Sequence, residues 1–299
     1  MRLLTYREDR EFRVGVVHGD QVLDLQQWIA VPSEPLPTTM IDLIAMGDAA
    51  LVRIRQRLDL LGAAAVAGAP HLEALTLAAP IPRPRKNILC IGHNYAAHAV
   101  ERGHAPPARP AVFTKAPTTV IGPYDPILID PRVSEQIDWE GELGVVIGVG
   151  GRGIPREHAL DHVFGYVVVN DVSARDIQAA HGGQFFLGKS LDGSCPLGPW
   201  IVTKDEIADP QDLRLTTRVN GVVKQDANTS DMIFPVAVLI EWLSRGMTLE
   251  PGDIISTGTP SGIGQVRTPP EFLRPGDVLE TEVANVGFLR NPVAAWPQG

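Results

Sequence analysis

Cysteine is scarce in this sequence. Only Cys90 and Cys195 occur among the 299 residues, too few for a disulfide framework or a zinc site of paired cysteines. Charged residues come too early in the N-terminal segment for a signal peptide, and no stretch approaches the ~18 apolar residues of a membrane span. We therefore expect a soluble, cytoplasmic protein without a membrane partner.

Positive charge is also in short supply. Lys and Arg together number 26 against 35 Asp and Glu, so the formal net charge is −9 at pH 7. Non-specific binding to nucleic acid requires a basic face, so we expect no nucleic-acid partner. A small anionic substrate stays compatible with this balance, because a metal ion or a few local cations can set the sign of a cleft.

The apolar pattern divides the chain into two parts. Residues 12–25 have the alternation of a β-hairpin, and residues 38–66 have the apolar rhythm of helices. Residues 80–84 contain three prolines, which exclude a helix there. We place a boundary at this point, between a small N-terminal α/β domain at 1–79 and a larger domain at 80–299.

The larger part has the pattern of strands separated by turns, such as the turn at Asn220-Gly221. Two helices are predicted in it. One covers residues 95–102, and the other covers residues 235–244 with Gly246 as its C-terminal cap. These elements predict an α+β fold that is mainly β.

Residues 137–147 have the polarity of a half-acidic strand. Alternation would place Asp138, Glu140 and Glu142 on one face, with neighbours ~7 Å apart. The opposite face would be apolar, with Ile137, Trp139, Leu143, Val145 and Ile147. Carboxylates this close repel each other, and a divalent cation removes the repulsion. Oxygen ligands alone favour Mg²⁺, Mn²⁺ or Ca²⁺ over Zn²⁺. The alternative is a solvated edge strand with an acidic outer face.

A further acid, Asp171, follows the apolar run at residues 166–169. The end of a buried strand is a common position for a ligand. The alternative is that Asn170 and Asp171 only form a turn.

Four segments resemble, in order, the motifs of the fumarylacetoacetate hydrolase family. They are E-x-E-L at 140–143, N-D-[VM]-[ST]-A-R-D at 170–176, G-K-[ST]-x-D-x-x-x-P-x-G-P at 188–199 and G-D-x-[IL]-x-T-G-T-P at 252–260. The resemblance extends from about Pro80 to Arg290. It implies a mixed β-roll for the catalytic domain and a homodimeric assembly.

The resemblance also implies roles for single residues. Glu140, Glu142 and Asp171 would bind Mg²⁺ or Mn²⁺, with Ca²⁺ as a possible substitute in crystals. Lys189 would be the catalytic cation that faces the substrate. Four further polar residues would contact the substrate: Gln178, Thr259, Lys115 and Arg175.

His98 and Glu101 are three residues apart in a predicted helix, so they share one face. Such a pair is typical of a surface interaction, but a carboxylate also orients an imidazole for general-base catalysis. The family resemblance implies the second role, because hydrolytic members use a His-x-x-Glu pair on a mobile lid to activate water.

Two competing functions stay open, and serine-hydrolase chemistry is set aside. Residues 148–153 match G-x-G-x-x-G after a strand, with Asp171 about twenty residues on, which is typical of a nicotinamide-dependent oxidoreductase. Ser194 and Ser261 lack the G-x-S-x-G context of a serine hydrolase. A catalytically silent family member is the second alternative, and the complete acid set together with Lys189 argues against it.

The acid cluster and the family resemblance together imply a divalent-metal-dependent hydrolase of small 2-oxo acids. It would cleave a C–C bond in acylpyruvates, 2,4-dioxo acids of the fumarylpyruvate type met in aromatic catabolism, through a pyruvate enolate that the metal stabilises. The same enolate would serve oxaloacetate decarboxylation and isomerisation or hydration of 2-oxo-enedioates, so these reactions stay open. Removing any one of the three acids should relieve repulsion and leave the metal-free protein at least as stable.

Overall fold

The computed structural model describes residues 1–31, 33, 35–61, 66–103 and 105–297. In this part of the chain the fold is mixed α/β and mainly β, as expected. None of the helices described is long and apolar enough to cross a membrane.

The described residues contain eighteen strands. In chain order they are β1 (Arg2–Glu8), β2 (Glu11–His18), β3 (Gln21–Asp24), β4 (Thr76–Ala78), β5 (Ile88–Gly92), β6 (Ala111–Lys115), β7 (Val120–Ile121), β8 (Ile127–Ile129), β9 (Ile137–Asp138), β10 (Gly141–Ile147), β11 (Val163–Asn170), β12 (Ser173–Ala174), β13 (Cys195–Thr203), β14 (Arg214–Val219), β15 (Val222–Asn228), β16 (Ile254–Ser256), β17 (Val278–Val283) and β18 (Gly287–Ala295).

Most of the strands belong to two sheets. The larger sheet has the order β3-β2-β1-β13-β11-β10-β16-β5-β6, with β4 beside β1 and β7 beside β13. The second has the order β15-β14-β17-β18-β8. Apolar side chains of β10 and β11 pack with those of β14, β17 and β18 between the sheets.

The N-terminal strands belong to the larger sheet. The hairpin predicted at residues 12–25 is confirmed as β2 and β3, and β1 pairs antiparallel with β13, with Leu3 opposite Ile201. The boundary predicted after residue 79 therefore falls just behind β4, within a chain whose two parts share one sheet. It stays a prediction.

Six α-helices lie in the described residues: α1 (Met40–Met46), α2 (Asp48–Leu60), α3 (Ala96–Glu101), α4 (Arg175–Ala180), α5 (Phe186–Lys189) and α6 (Val236–Ser244). The helices predicted at residues 38–66 are confirmed as α1 and α2, split at Gly47, whose φ is 62°. Residues 62–65 of that prediction lie outside the described residues. The predictions of α3 and α6 are also confirmed.

Two details of the helices differ from the expectation. Helix α6 is capped by Arg245 with a φ of −57°, and Gly246 is not among the glycines with positive φ, so its predicted role as a left-handed cap is wrong. The short helices α4 and α5 were not expected, because six and four residues are too few for a recognisable helical period.

The acidic strand predicted over residues 137–147 is interrupted. Its first two residues form β9, which pairs with β12, whereas β10 pairs with β11 and β16. Ile137 and Trp139 consequently pack in a different apolar cluster from Leu143, Val145 and Ile147. Asp138 is not part of the cluster that Glu140 and Glu142 form; its carboxylate accepts hydrogen bonds from the backbone N–H groups of residues 139, 264 and 265.

Gly141, between the two glutamates, allows the second sheet to approach. A Cβ atom at this position would lie 2.2 Å from Thr217 Oγ1 of β14, a distance that real Cβ contacts do not reach. The E-x-E motif therefore depends on a glycine at its centre in this protein.

The glycine-rich segment at residues 148–153 is not part of a dinucleotide fold. Such a fold requires parallel neighbours and a long helix directly after the glycines. Here β10 lies between two antiparallel neighbours, and the first helical residues after the segment form the short 3-10 helix Arg156–His162. The nicotinamide alternative is therefore wrong at the level of the fold.

Candidate metal centre and its cavity

The pairing of β10 with β11 brings the acids together. Gly141 lies opposite Asn170, and the backbone N–H of Asp171 donates to the carbonyl of Glu140 at 2.8 Å. The side-chain oxygen of Asn170 accepts from the backbone N–H of Glu140 at 3.0 Å. Asn170 and Asp171 are both fully buried, so the alternative that they only form a surface turn is wrong.

Glu140, Glu142 and Asp171 form a compact cluster. Each offers a carboxylate oxygen, and these atoms lie within 4.8 Å of one another. Their exposed fractions are 6%, 1% and 0%, which excludes the alternative of a solvated acidic edge. Three buried carboxylate oxygens at this spacing fit a hard divalent cation such as Mg²⁺ or Mn²⁺.

Two of the three acids have cationic partners. Lys189 Nζ lies 2.7 Å from Glu140 and 2.8 Å from Asp171. Arg175 pairs with the other oxygen of Glu140 at 2.7 Å, and Lys115 pairs with Asp171 at 2.8 Å. Burial alone would raise the pKa of Glu140, but the charges of Lys189 and Arg175 outweigh it and lower the pKa.

Glu142 differs from its two neighbours. One of its oxygens accepts from the Ser256 hydroxyl at 2.5 Å and from the Gly258 N–H at 2.8 Å. Among the described residues no Lys or Arg forms an ion pair with it. Burial first, then the charges of Asp171 and Glu140, raise the pKa of Glu142 well above its ordinary value. The cluster therefore lacks positive charge at Glu142, where a divalent cation would supply it.

This difference restricts the expectation about stability. Loss of Glu142 removes a repulsive charge, as expected for all three acids. Loss of Glu140 or Asp171 would instead leave buried Lys or Arg side chains without a partner, which is strongly destabilising. The expectation therefore does not hold for these two residues.

A narrow cavity adjoins the cluster on the side of Glu140. Its volume is about 20 Å³, enough for roughly one water molecule. Five residues predicted as catalytic or substrate-binding line it: His98, Lys189, Gln178, Thr259 and Arg175.

Lys189 is placed to act on a ligand in this cavity. Helix α5 carries it, and its Nζ donates to Glu140 Oε2 and Asp171 Oδ2. An ammonium group has three hydrogens, so one remains for a ligand. The ring of Phe113 lies 5.0 Å from Nζ and borders the same cavity.

His98 is buried in its pair with Glu101, whose side chain is 20% exposed, so this is not an ordinary surface pair. His98 is 5% exposed, and its Nδ1 lies 2.7 Å from Glu101 Oε1. The other oxygen of Glu101 accepts from the backbone N–H of Gly262 at 2.9 Å. The His98 ring also stacks on the His93 ring, with 5.6 Å between centroids. Glu101 therefore fixes the imidazole and attaches α3 to the loop after the T-G-T-P motif.

The four predicted substrate contacts have different surroundings. Arg175 donates to Asp138 at 2.8 Å and to Gln178 at 3.2 Å. The Thr259 hydroxyl donates to the Gly141 carbonyl at 2.9 Å, so it stabilises the loop. Lys115 is absent from the cavity lining; its ammonium donates to the Val172 carbonyl at 3.0 Å and pairs with Asp171.

Sequence reasoning missed several residues around the cavity. Arg102, Phe113 and Phe185 also line it, and Ser256 contacts Glu142. Phe113 and Ser256 lie in strands whose pattern gives no sign of a ligand nearby. Arg102 directly follows Glu101, and this adjacency to the predicted base was the available signal.

The comparisons with known proteins identify the family. The family described as "Fumarylacetoacetate (FAA) hydrolase C-terminal" matches residues 87–294. This chain belongs to the fumarylacetoacetate hydrolase family, whose characterised relatives include hydrolases, isomerases and tautomerases.

Several relatives match over nearly their whole length. The chain is 46% identical to "Oxaloacetate tautomerase YisK" of Bacillus subtilis, with 95% of this chain and 97% of that protein covered. It is 43% identical to "Oxaloacetate tautomerase fahd2, mitochondrial" of Xenopus laevis, with 98% and 90% covered. The motifs by themselves do not indicate this reaction.

A solved structure of maleylpyruvate hydrolase from Sphingobium sp. SYK-6, in complex with manganese(II) and pyruvate, is similar to the whole chain. The TM-score is 0.80 at 30% identity, with 99% of this chain and 100% of that one covered. The fumarylacetoacetate hydrolase of Exiguobacterium antarcticum gives a TM-score of 0.83 at 39% identity, with 99% and 100% covered.

Proposed function

We propose that this protein is a divalent-metal-dependent tautomerase that interconverts the keto and enol forms of oxaloacetate or a closely similar 2-oxo dicarboxylic acid. One observation carries the proposal: His98, which is paired with Glu101, lines one cavity together with Lys189 and with Glu140 of the three-acid cluster. Relatives that are named oxaloacetate tautomerases and match over nearly the full chain support it.

Each group has a place in this reaction. Glu140, Glu142 and Asp171 would hold Mg²⁺ or Mn²⁺, and the ion would polarise the 2-oxo acid group of the substrate as a Lewis acid. Lys189 lines the cavity, and its remaining hydrogen would stabilise negative charge on the C2 oxygen.

The proton transfer starts at His98. With Nδ1 donating to Glu101, the second ring nitrogen is the base that removes a proton from C3. The electron pair of the C–H bond forms the C2=C3 double bond, and the C2 oxygen takes the negative charge. Glu101 stabilises the imidazolium of His98. The imidazolium then gives its proton to the C2 oxygen, which yields the enol. The reverse sequence regenerates the keto form.

A second candidate is hydrolysis of an acylpyruvate. The same base would remove a proton from a water molecule, which then attacks the distal carbonyl. The His98–Glu101 pair favours this reaction as much as tautomerisation, and the similarity to maleylpyruvate hydrolase supports it.

An activity panel separates the two candidates. Enol oxaloacetate, keto oxaloacetate, an acylpyruvate and a 2-oxo-enedioate are assayed with Mg²⁺ and with Mn²⁺, following tautomerisation, CO₂ release and C–C cleavage. We expect tautomerisation to dominate and His98→Asn to reduce it by ~10²–10⁴-fold, the usual contribution of a positioned base. Decarboxylation needs no base, so any residual CO₂ release should persist in this variant.

Three outcomes would change the assignment. Faster cleavage of the acylpyruvate than tautomerisation would favour the second candidate. No turnover of any of these compounds with either metal would reject both candidates. Full tautomerase activity in both His98→Asn and Glu101→Gln would remove the pair from the mechanism.

A further inference from the structure

The cationic side chains that line the cavity differ in their partners. Lys189 and Arg175 each contact two carboxylates. Arg102, at the C-terminal end of α3, donates from its guanidinium to the neutral side chain of Gln265, and no carboxylate of the described residues lies within 4.0 Å of it.

Arg102 is therefore a half-buried cation without an anionic partner among the described residues. Burial first, and then the charge of Arg175, lower the pKa of Arg102 more than the charges of Glu140, Asp138 and Glu101 raise it, yet a guanidinium keeps its charge at physiological pH. A buried charge of this kind is costly unless an anion compensates it. An anionic group of a bound molecule would provide that compensation.

We propose that Arg102 binds the remote carboxylate of a dicarboxylic substrate and so sets the preference of this enzyme for 2-oxo acids that are anionic at both ends. This inference rests on the proposed function of the site, and it adds the residue that determines substrate selectivity.

The arrangement of charges gives such a substrate one orientation. The 2-oxo acid end faces the carboxylate cluster, where the metal ligands and Lys189 lie, and the other end faces the isolated guanidinium. Because His98 lies in α3 and Arg102 caps its C-terminal end, the contact at the remote carboxylate would also hold the chain between the two ends against the base. A guanidinium has five N–H donors and binds carboxylates in a forked geometry, so the contact with Gln265 leaves donors available.

A purely structural role for Arg102 is the competing explanation. Its contact with Gln265 ties α3 to the 3-10 helix Gly264–Val266. Gln265→Leu is the matched control, because it removes this tie and retains the guanidinium. Arg102→Gln removes the charge, and Arg102→Lys retains it on a different group.

Calorimetry on the Mn²⁺-loaded protein provides the first test. The probes are L-malate and (S)-2-hydroxybutanoate, which differ only in the remote carboxylate and do not turn over. We expect the wild type and Gln265→Leu to bind malate ~10- to 100-fold more tightly, the value of a charge-assisted hydrogen bond. Arg102→Gln should lose this preference, and Arg102→Lys should regain part of it. Equal affinities in the wild type, or an undiminished preference in Arg102→Gln, would overturn the proposal; so would equal loss in Gln265→Leu.

Tautomerisation of oxaloacetate provides the second test and separates the two claims. Arg102→Gln should raise KM for oxaloacetate by a similar factor, and its rate of C3 proton exchange on 2-oxobutanoate, measured by NMR in D₂O, should stay near the wild-type rate. If the protein prefers malate through Arg102 but does not tautomerise oxaloacetate, the dicarboxylate site is supported and the proposed function is rejected. If it tautomerises oxaloacetate but shows no preference for malate, the proposed function is supported and the dicarboxylate site is rejected.

Discussion

Two regions of this molecule bury a carboxylate with hydrogen-bonding partners, but only one of them supplies a positive charge to balance it. In the N-terminal part, Asp24 accepts from Tyr6 and Arg13, each at 2.9 Å, and caps the helical turn Leu25–Ile29 through two backbone N–H groups. At the cavity, Glu142 has two neutral donors and two neighbouring carboxylates.

The difference appears in the pKa values. Burial alone would raise the pKa of Asp24, but the hydrogen bonds from Arg13, from the Gln27 backbone and from Tyr6 outweigh it and lower the pKa. The pKa of Glu142 is raised because burial and like charges act together. A carboxylate that the fold satisfies contributes to stability, whereas one that the fold crowds is available for a ligand.

Asp171→Asn should have the largest effect, because Asp171 belongs to the acid cluster and also forms two buried ion pairs. The substitution should therefore reduce both activity and stability. It weakens the pairing of Lys115 and Lys189, and breaking buried pairs costs ~3–5 kcal/mol. Metal-dependent activity should be lost as well. Denaturant unfolding of the metal-free variant measures the first effect. A free energy of unfolding equal to that of the wild type would contradict the ion pairs described for Asp171.

Glu142→Gln should separate function from stability. We expect at least a ~100-fold loss of metal-dependent turnover, since even the partners of metal ligands can cost this much. The metal-free protein should unfold at the same or a higher temperature, because the substitution removes a repulsive charge. Near-wild-type activity at limiting Mg²⁺ would exclude Glu142 as a ligand.

Asp24→Asn should show the reverse behaviour. The loss of charged hydrogen bonds to Arg13 and Tyr6 should reduce the free energy of unfolding by ~1–3 kcal/mol. Turnover should stay within a factor of about two, because Asp24 is not among the residues that line the cavity. A large drop in kcat at temperatures where the variant is folded would show that the two regions are coupled.

The pH dependence should have opposite signs in the two regions, with the smallest amplitude of these effects. The folded-state pKa of Asp24 is lowered, so its stabilisation is present above the unfolded pKa of ~3.9 and is lost as pH falls through the folded value. The folded-state pKa of Glu142 is raised, so its stabilisation is present at low pH and is lost as pH rises through the folded value.

Metal-free melting curves of the wild type and both variants across a pH series check these signs. Relative to the wild type, Glu142→Gln should gain stability as pH rises, and the deficit of Asp24→Asn should shrink below about pH 4. The affinity of the wild type for Mn²⁺ should decrease as the pH is lowered, because the metal competes with the proton of Glu142. Parallel curves for all three proteins would contradict the assignment of opposite shifts.

The clustering of the three acids was predictable because much of the signal is local. Glu140 and Glu142 are two residues apart, Asp171 ends a strand of apolar residues, and the antiparallel pairing of two buried strands brings them together. The hairpin and helices α1, α2, α3 and α6 were also predictable from their apolar periods.

The remaining features depend on contacts between distant segments. The break at Asp138 exists because the backbone of residues 264 and 265 and Arg175 supply its partners, and no local pattern contains this information. The same holds for the ion pairs that distinguish Asp171 from Glu142, and for the partner of Arg102. The homodimer, the cytoplasmic location and the boundary after residue 79 stay predictions.

The two contacts of Glu101 have a consequence for timing. One oxygen holds His98 and the other accepts from the amide of Gly262, so the proposed base would keep its position only while α3 is docked on that loop. The amide hydrogen of Gly262 is thereby shielded from solvent in the docked state. The hydrogen–deuterium exchange rate of this amide, measured at single-residue resolution, should therefore report how often α3 undocks from the loop, even when no substrate is present.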